Sequence, residues 1–264
     1  MPAGLQEQLL RRVRDAVPDV PLVVALMSGG AVSSPWVDAN ADAVLWLGFN
    51  GQFSGLGLFD VLSGRVSPGA KMPYTVPQSV DQLPVITNYA YHSQDPSAQN
   101  FMGRTYRYLN LTTQEPLYPF GFGLPGYTEF QFSNLHAPTT VGVCDPVRVT
   151  VTLSNVGRRS GSEVAQLYVT NEQPRFFGSP RWALAGFERI DLSAGESKVV
   201  QLSLAVLSRA EVRDGDYERV VSPSNYSIYV GGGQPHLPLE RTPSNVLVAT
   251  LTTTGDTTTL SACE

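Results

Sequence analysis

Carboxylate side chains at short spacing are the residues of this sequence that come nearest to acid–base chemistry. Asp38 and Asp42 flank the start of an apolar segment, and Asp214 and Asp216 enclose a glycine. General acid–base catalysis requires carboxyl groups that converge in a cleft, where burial or a neighbouring charge shifts their pKa values. The Asp-Gly-Asp spacing is typical of a turn, and the sequence shows no partner for Asp38 or Asp42. We therefore interpret both pairs as turn or solvated loop residues.

The sequence lacks the other common catalytic constellations. His92, His136 and His236 lie in separate loop-like segments, and the Gly-x-Ser-x-Gly motif of serine hydrolases is absent. No group of histidines, cysteines and carboxylates has the spacing of a metal site. The glycine-rich segment 48–57 does not fit the Gly-x-Gly-x-x-Gly or Gly-Lys-Ser/Thr patterns of nucleotide sites, so we interpret it as a tight turn. The sequence predicts neither a cofactor nor a metal ion.

Three further features concern binding and modification. Trp36 is either a platform for a sugar ring or an aromatic residue packed at a domain interface, and we favour the interface. Asn110 and Asn225 each begin an Asn-x-Ser/Thr sequon, which is an acceptor for N-glycosylation. Cys144 and Cys263 are too few for a disulfide scaffold but could form one bridge.

The composition bounds the class of protein. The 264 residues include 24 glycines and 20 prolines, and only 16% are charged, which is typical of a loop-rich, β-rich protein. A hydrophobic fraction of 42% excludes wholesale disorder. The net charge of −5 is opposite to the basic charge that nucleic-acid-binding proteins carry. We predict no membrane span and, because the N-terminus enters an amphipathic pattern directly, no signal peptide in this chain.

The first half of the chain alternates between helical and strand patterns. Leucines and valines at helical spacing predict a helix over 4–17. Short continuous apolar runs predict buried parallel strands over 21–27 and 43–47, with a further strand expected over 71–76. A helix follows the glycine-rich turn and ends at Gly64. Three strands are few for a complete sheet, so this half is expected to be an incomplete parallel α/β sandwich domain.

The second half alternates apolar and polar residues along short segments separated by turns. This pattern covers 147–153, 163–169, 198–204 and 226–230 and predicts an antiparallel β-sandwich of about 100 residues. The predicted organisation is an α/β part with an aromatic connecting segment over 1–130, an all-β sandwich over 131–235, and a mobile, Thr-rich tail over 236–264. The open sheet edge and the aromatic segment 106–127 predict self-association.

Several long motifs in the same order resemble glycoside hydrolase family 3. They occupy 48–52, 59–64, 68–73, 103–108 and 118–124, and in the second half 163–169, 184–188 and 194–197. Asn50 departs from the family pattern, which has proline at this position. The resemblance implies the C-terminal portion of that family: part of its α/β sandwich domain followed by its fibronectin type III-like domain. Segments 22–30 and 118–124 look most like the β-xylosidase branch.

The resemblance also implies where the chemistry lies. The family hydrolyses O-glycosyl bonds with retention, using an Asp nucleophile on a barrel of about 250 residues and a Glu acid/base about 5 to 5.5 Å away. Both are expected upstream of Met1, so no residue of this chain inherits a catalytic role and the chain is expected to be inactive alone. The full-length family implies xylo- or gluco-oligosaccharide substrates and an extracellular or cell-wall location.

Two alternatives stay open. The chain could be a non-catalytic module that associates with carbohydrate or with another protein. It could also complement a separate chain that bears the barrel, which would make that chain its partner.

Overall fold

The computed structural model describes residues 4–83, 87, 104–109, 115–176, 179–213, 216–235 and 244–263. Several residues singled out above, namely His92, Asn110, Asp214 and His236, lie outside these ranges. The described part consists of an α/β layer followed by a β-sandwich, which confirms the predicted fold class. No helix in the described ranges is long and apolar enough to cross a membrane.

The α/β layer contains three helices and two parallel strands. Helix α1 spans Gly4–Ala16, strand β1 Val23–Leu26, helix α2 Pro35–Asn40, strand β2 Ala43–Trp46 and helix α3 Ser54–Leu62. Strands β1 and β2 pair in parallel from Val23↔Ala43 to Leu26↔Trp46. The side chain of Ser34 caps α2 by accepting from the Val37 amide, as Ser does at helix N-termini.

Two helices of this layer turn apolar side chains to solvent. On α1, Leu5 and Leu9 are 81% and 62% exposed. On α3, Leu56, Phe59 and Leu62 are each more than half exposed. An amphipathic helix normally buries such a stripe, so the described part of this layer lacks the elements that would cover it.

The strand predicted over 71–76 is reduced to a single antiparallel bridge between Val76 and Tyr118. The two residues exchange both backbone hydrogen bonds, at 2.7 and 3.1 Å. Pro73 and Pro77 flank this bridge and offer no amide hydrogen, which prevents a longer ladder. Within the described residues, the parallel sheet therefore has two strands, fewer than the sequence indicated.

Eleven strands form the rest of the described chain. They are β3 Phe130–His136, β4 Thr140–Gly142, β5 Val147–Asn155, β6 Gly161–Asn171, β7 Ala183–Leu192, β8 Ser197–Leu204, β9 Glu211–Val212, β10 Arg219–Val221, β11 Asn225–Gly231, β12 Val246–Thr254 and β13 Thr258–Thr259. A five-stranded sheet, β4-β12-β11-β6-β7, faces a three-stranded sheet, β3-β5-β8. Alternate residues are buried along strands such as β5, Val147–Asn155, whereas β6 is buried over most of its length. The buried side chains of the two sheets form one core between them.

The mobile tail predicted over 236–264 is wrong for the described residues 244–263. Strand β12 pairs with β11 over seven positions, from Asn225↔Thr252 to Gly231↔Val246, and Leu251 is fully buried in the core. Threonine is β-branched and favours strands. The Thr-rich composition that suggested a polar tail therefore also suits a strand with one solvent-exposed face. Strand β12 therefore belongs to the sandwich, and β13 pairs with β10 in a separate three-stranded sheet of order β13-β10-β9.

Candidate functional site

Two of the carboxylates singled out in the sequence, Asp38 and Asp42, make contacts within the α/β layer, whereas Asp216 pairs with Arg213 between β9 and β10. Asp38 lies on α2, not in a loop, and accepts a hydrogen bond of 2.7 Å from the Tyr118 hydroxyl. Asp42 accepts from the Leu22 amide and from the Arg14 guanidinium, both at 2.6 Å. These two hydrogen bonds lower the pKa of the Asp42 carboxyl below its ordinary value. Asp38 thus contacts the aromatic segment at Tyr118, and Asp42 joins helix α1 to the segment before β1.

Trp36 is half-buried and already has a cation on its ring. The Arg11 guanidinium carbon lies 4.5 Å from the ring centroid, within the range of a cation–π contact. The same guanidinium pairs with Glu7 at 2.6 Å, and this hydrogen bond, with a second from Ser34, lowers the pKa of Glu7. The contact places the Trp36 ring against α1 within the α/β layer, and its role at a domain interface stays a prediction.

The family-like aromatic motifs lie at the joint between the α/β layer and the sandwich. Tyr106 stacks on Phe120 with ring centroids 4.1 Å apart and meets Tyr168 of β6 edge-on at 6.4 Å. Trp182 donates from its indole to the Tyr106 carbonyl at 2.9 Å, and the Leu184 amide donates to the Tyr106 hydroxyl at 3.0 Å. Among the described residues of the aromatic segment, Tyr106 and Phe120 therefore pack against the sandwich at this joint.

Gln166 of β6 is a polar anchor within this joint. Its side-chain amide donates to the carbonyls of Gly121 and Gly232, at 3.0 and 2.9 Å, and its carbonyl accepts from the Tyr168 hydroxyl at 2.6 Å. Gly121 has a φ of +75°, and a Cβ there would fall 2.3 Å from the Gln166 Oε1. Only glycine allows this close approach.

Lys71 and Glu163 form a buried ion pair across the same joint. Their Nζ and Oε1 atoms are 2.6 Å apart, and the side chains are 9% and 1% exposed. Lys71 also donates to the Gly123 carbonyl at 3.0 Å. Burial raises the pKa of Glu163 and lowers that of Lys71, while the contact between them opposes both shifts. The pair links the α/β layer to the sandwich. Because both side chains are almost completely buried, we assign the pair to structure and not to substrate contact.

An open cleft of about 480 Å³ lies beside the joint, between the turn after α3 and strands β6 and β7. Arg65, Arg189 and Lys198 line it together with Asp191 and Glu196. Lys198 pairs with Glu196 at 3.2 Å, and Arg189 donates to the Ser162 hydroxyl at 2.7 Å. The lining charges are of both signs, and the cleft therefore indicates no single ligand class.

The carboxyl ends of β1 and β2 form the edge where open parallel sheets bind ligands. The loops that leave this edge carry Ser28 and Gly29 after β1, and Phe49 and Asn50 after β2. Phe49 is 78% exposed. The sequence predicts only a tight turn for this second loop, because its glycines match no nucleotide motif. We name the segments 27–30 and 47–53 the strand-end loops.

The predicted modification residues lie in the sandwich. Cys144 and Cys263 are joined in a disulfide with a Cα–Cα distance of 5.0 Å. Asn225 is exposed at the start of β11, where its side-chain oxygen accepts from the Thr252 hydroxyl at 3.0 Å. His136 lies on β3. Among the described residues no group of three or more His, Cys, Asp or Glu side chains could hold a metal ion.

Comparison with family models matches two successive parts of the chain. Residues 1–126 match the glycosyl hydrolase family 3 C-terminal domain. Residues 163–234 match a fibronectin type III-like domain. The two matches fall on the α/β layer with its aromatic segment and on the sandwich.

Related proteins and structures agree with these matches. A β-glucosidase of Rhizobium radiobacter is 34% identical over 252 residues, covering 90% of this chain and 30% of that protein. A β-xylosidase of Formosa agariphila is 29% identical over 229 residues, covering 86% and 30%. The crystal structure of a β-glucosidase from Listeria innocua superposes with a TM-score of 0.76 at 27% identity, covering 96% of this chain and 33% of that one. The chain thus spans about a third of the length of these relatives.

Proposed function

The chain belongs to glycoside hydrolase family 3, and on this premise we propose that it works as the C-terminal part of a retaining β-glycosidase. The observation that carries the proposal is the exposure of apolar side chains on helices α1 and α3 of the α/β layer. The aromatic joint and the Lys71–Glu163 ion pair attach this layer to the sandwich. Such a layer is built to be covered by further protein, and we propose that the barrel-bearing part of the enzyme covers it.

The catalytic carboxylates belong, in this proposal, to the covering part. Asp38 and Asp42 hold hydrogen bonds within the layer, and Glu163 is buried against Lys71. The roles of nucleophile and acid/base therefore stay with the Asp and Glu expected upstream of Met1. The covering part can be the same polypeptide or a separate chain, and co-purification of a heteromer would identify the second arrangement.

For the substrate we propose short oligosaccharides with β-linked glucose or xylose. Segments 22–30 and 118–124 resemble the β-xylosidase branch, and the β-xylosidase of Formosa agariphila is among the relatives. Other relatives are named β-glucosidases, such as that of Rhizobium radiobacter. The two sugars differ by the hydroxymethyl group on C5, so paired aryl glycosides discriminate between them directly.

A chimera tests the proposal. The matched third of the Listeria innocua β-glucosidase is replaced by this chain, and hydrolysis of 4-nitrophenyl β-D-glucoside and β-D-xyloside is measured. We expect the chimera to hydrolyse at least one substrate, and neither the 264-residue chain nor the Listeria enzyme without its matched third to do so. Hydrolysis by the isolated chain, or a folded but inactive chimera, would contradict the proposal.

The alternative function is a non-catalytic module that binds carbohydrate. Phe49, one of the two exposed aromatic residues of the strand-end loops together with Phe53, is the observation that favours it. Titration calorimetry of the isolated chain with xylobiose and cellobiose tests this function. Flat isotherms at millimolar ligand together with an active chimera would dismiss it.

We also propose that the protein is secreted and glycosylated at Asn225. The support is the disulfide between Cys144 and Cys263, since disulfides persist in oxidising compartments, and the exposure of the sequon asparagine. Secretion from yeast followed by treatment with peptide N-glycosidase F should lower the mass of the protein. Because Asn110 begins a second sequon, the N110Q variant should still lose mass and the N110Q/N225Q variant should not. An N110Q variant without mass loss contradicts the assignment to Asn225.

A further inference from the structure

Phe49 lies at the edge of the α/β layer that open parallel sheets use for ligands. Strands β1 and β2 run in the same direction and in register, so the strand-end loops leave the sheet side by side. Ligands of such sheets bind outside the carboxyl ends of the strands. An apolar ring that is 78% exposed at this edge has most of its surface available for contact.

The backbone around Phe49 holds the ring in place. Gly48 and Gly51 have φ values of +65° and +69°, which bend the loop sharply on both sides of Phe49. The ring rests on Gly29 of the other strand-end loop, where a Cβ would fall 2.6 Å from the Phe49 Cε2. The Ser28 hydroxyl steadies that loop by donating to the Gly30 carbonyl at 2.8 Å. A side chain at position 29 would push the ring away.

The chemistry of this edge suits a pyranose ring. The C–H groups on one face of a β-linked glucose or xylose unit form an apolar surface, which packs well on the face of an aromatic ring. The amide side chains of Asn50 and Gln52 are exposed on the same loop and can donate to and accept from sugar hydroxyls. Ligand sites commonly combine an apolar wall with a few polar groups in this way.

We propose that Phe49 contacts the sugar substrate and forms part of its binding wall in the assembled enzyme. This inference rests on the proposed function for the identity of the substrate. It differs from the apolar stripes on α1 and α3, which lie on helices and which we assign to protein contact. Phe49 is thus a residue for substrate affinity, with no role in bond cleavage.

Saturation-transfer NMR on the full 264-residue chain tests the contact directly. The probes are methyl β-D-glucopyranoside and methyl β-D-xylopyranoside at millimolar concentration. We expect saturation to reach the sugar C–H protons in the wild type and in F187A, and to be lost in F49A. Phe187 is a matched control because it is 67% exposed on β7 of the sandwich. No transfer in the wild type, or undiminished transfer in F49A, overturns the proposal.

Kinetics in the chimera supply the second readout. F49A is expected to raise KM for the aryl glycoside about tenfold with kcat little changed, since a stacking contact contributes to binding on this scale. F49Y keeps the ring and should restore the wild-type KM. An unchanged KM in F49A, or a fall in kcat and melting temperature with KM constant, would show a structural role and overturn the proposal. An inactive chimera with positive saturation transfer would instead contradict only the proposed function.

Discussion

Lys71 and Glu163 join the α/β layer to the sandwich through a salt bridge of 2.6 Å that is almost completely shielded from water. Taking two charges out of water is costly, and their mutual attraction offsets this cost only while both partners are present. Lys71 lies in the segment after α3, and Glu163 lies on β6, the strand that also carries Gln166 and Tyr168. The pair therefore couples the stability of the joint to that of the sandwich core.

Removing one partner of this pair should destabilise the protein. E163L leaves the Lys71 ammonium buried without its counter-charge, and we expect a loss of about 3–5 kcal/mol in the free energy of unfolding. The double variant K71M/E163L removes both charges and should recover much of that loss. Urea unfolding followed by tryptophan fluorescence measures both variants. If the double variant were no more stable than E163L, the ion-pair explanation would be wrong.

The α/β layer should lose stability in acid, because protonation of Asp42 weakens its hydrogen bonds. The Leu22 amide and the Arg14 guanidinium lower the pKa of its carboxyl in the folded state below the ordinary value of 3.8. The unfolded state therefore binds the proton more readily than the folded state. The stabilisation by Asp42 is fully present at pH values above the ordinary pKa, and it is lost as the pH falls through the lowered pKa of the folded state. D42N should remove this dependence.

Hydrogen exchange at the Leu22 amide between pH 3 and pH 7 reports the effect. After correction for intrinsic exchange, protection in the wild type should fall as the solution becomes acidic, whereas D42N should show low protection throughout. D191N is the control, since Asp191 lies on β7 of the sandwich. Equal acid dependence in the wild type and D42N would contradict the assignment.

The disulfide between Cys144 and Cys263 should stabilise the sandwich. It links residues 119 positions apart, and in the chain-entropy model a loop of this length stabilises the folded state by up to about 5 kcal/mol. Removing the bridge should release the last described turn, Leu260–Cys263, and then β13 from β10. The C144S/C263S variant should melt roughly 10 °C lower by calorimetry. Reduction of the wild type should produce the same shift, and a variant that melts with the oxidised wild type would refute the prediction.

The apolar faces of α1 and α3 should drive self-association of the isolated chain. The sequence placed this tendency at the open sheet edge and in the aromatic segment 106–127, but within that segment Tyr106 and Phe120 stack on each other at the joint. Leu9 and Phe59, at 62% and 52% exposed, are the better candidates. L9E and F59E should shift the sedimentation profile toward monomer, while Q8E adds the same charge to an exposed polar position of α1 and should not. Equal behaviour of L9E and Q8E would contradict the assignment.

Local pattern was sufficient for much of the secondary structure. Leu5, Leu9 and Val13 recur at helical spacing in α1, and the apolar–polar alternation of residues 147–153 specifies which face of β5 is buried. Gly64 follows the C-terminal end of α3 with a φ of +73°, as its type and position predicted. Such features follow from the sequence because residues close along the chain are also neighbours in a helix or strand.

The sequence by itself thus determined the fold class and the resemblance to family 3, whereas the tertiary structure decided the contacts that make up the site. No local signal showed that Arg11 covers Trp36, that Lys71 meets Glu163, or that the Thr-rich segment supplies β12. The same holds for Phe49, whose setting depends on Gly29 in another loop. The physical reason is that these contacts join residues distant along the chain, and their geometry arises only when the sheets and the joint pack together.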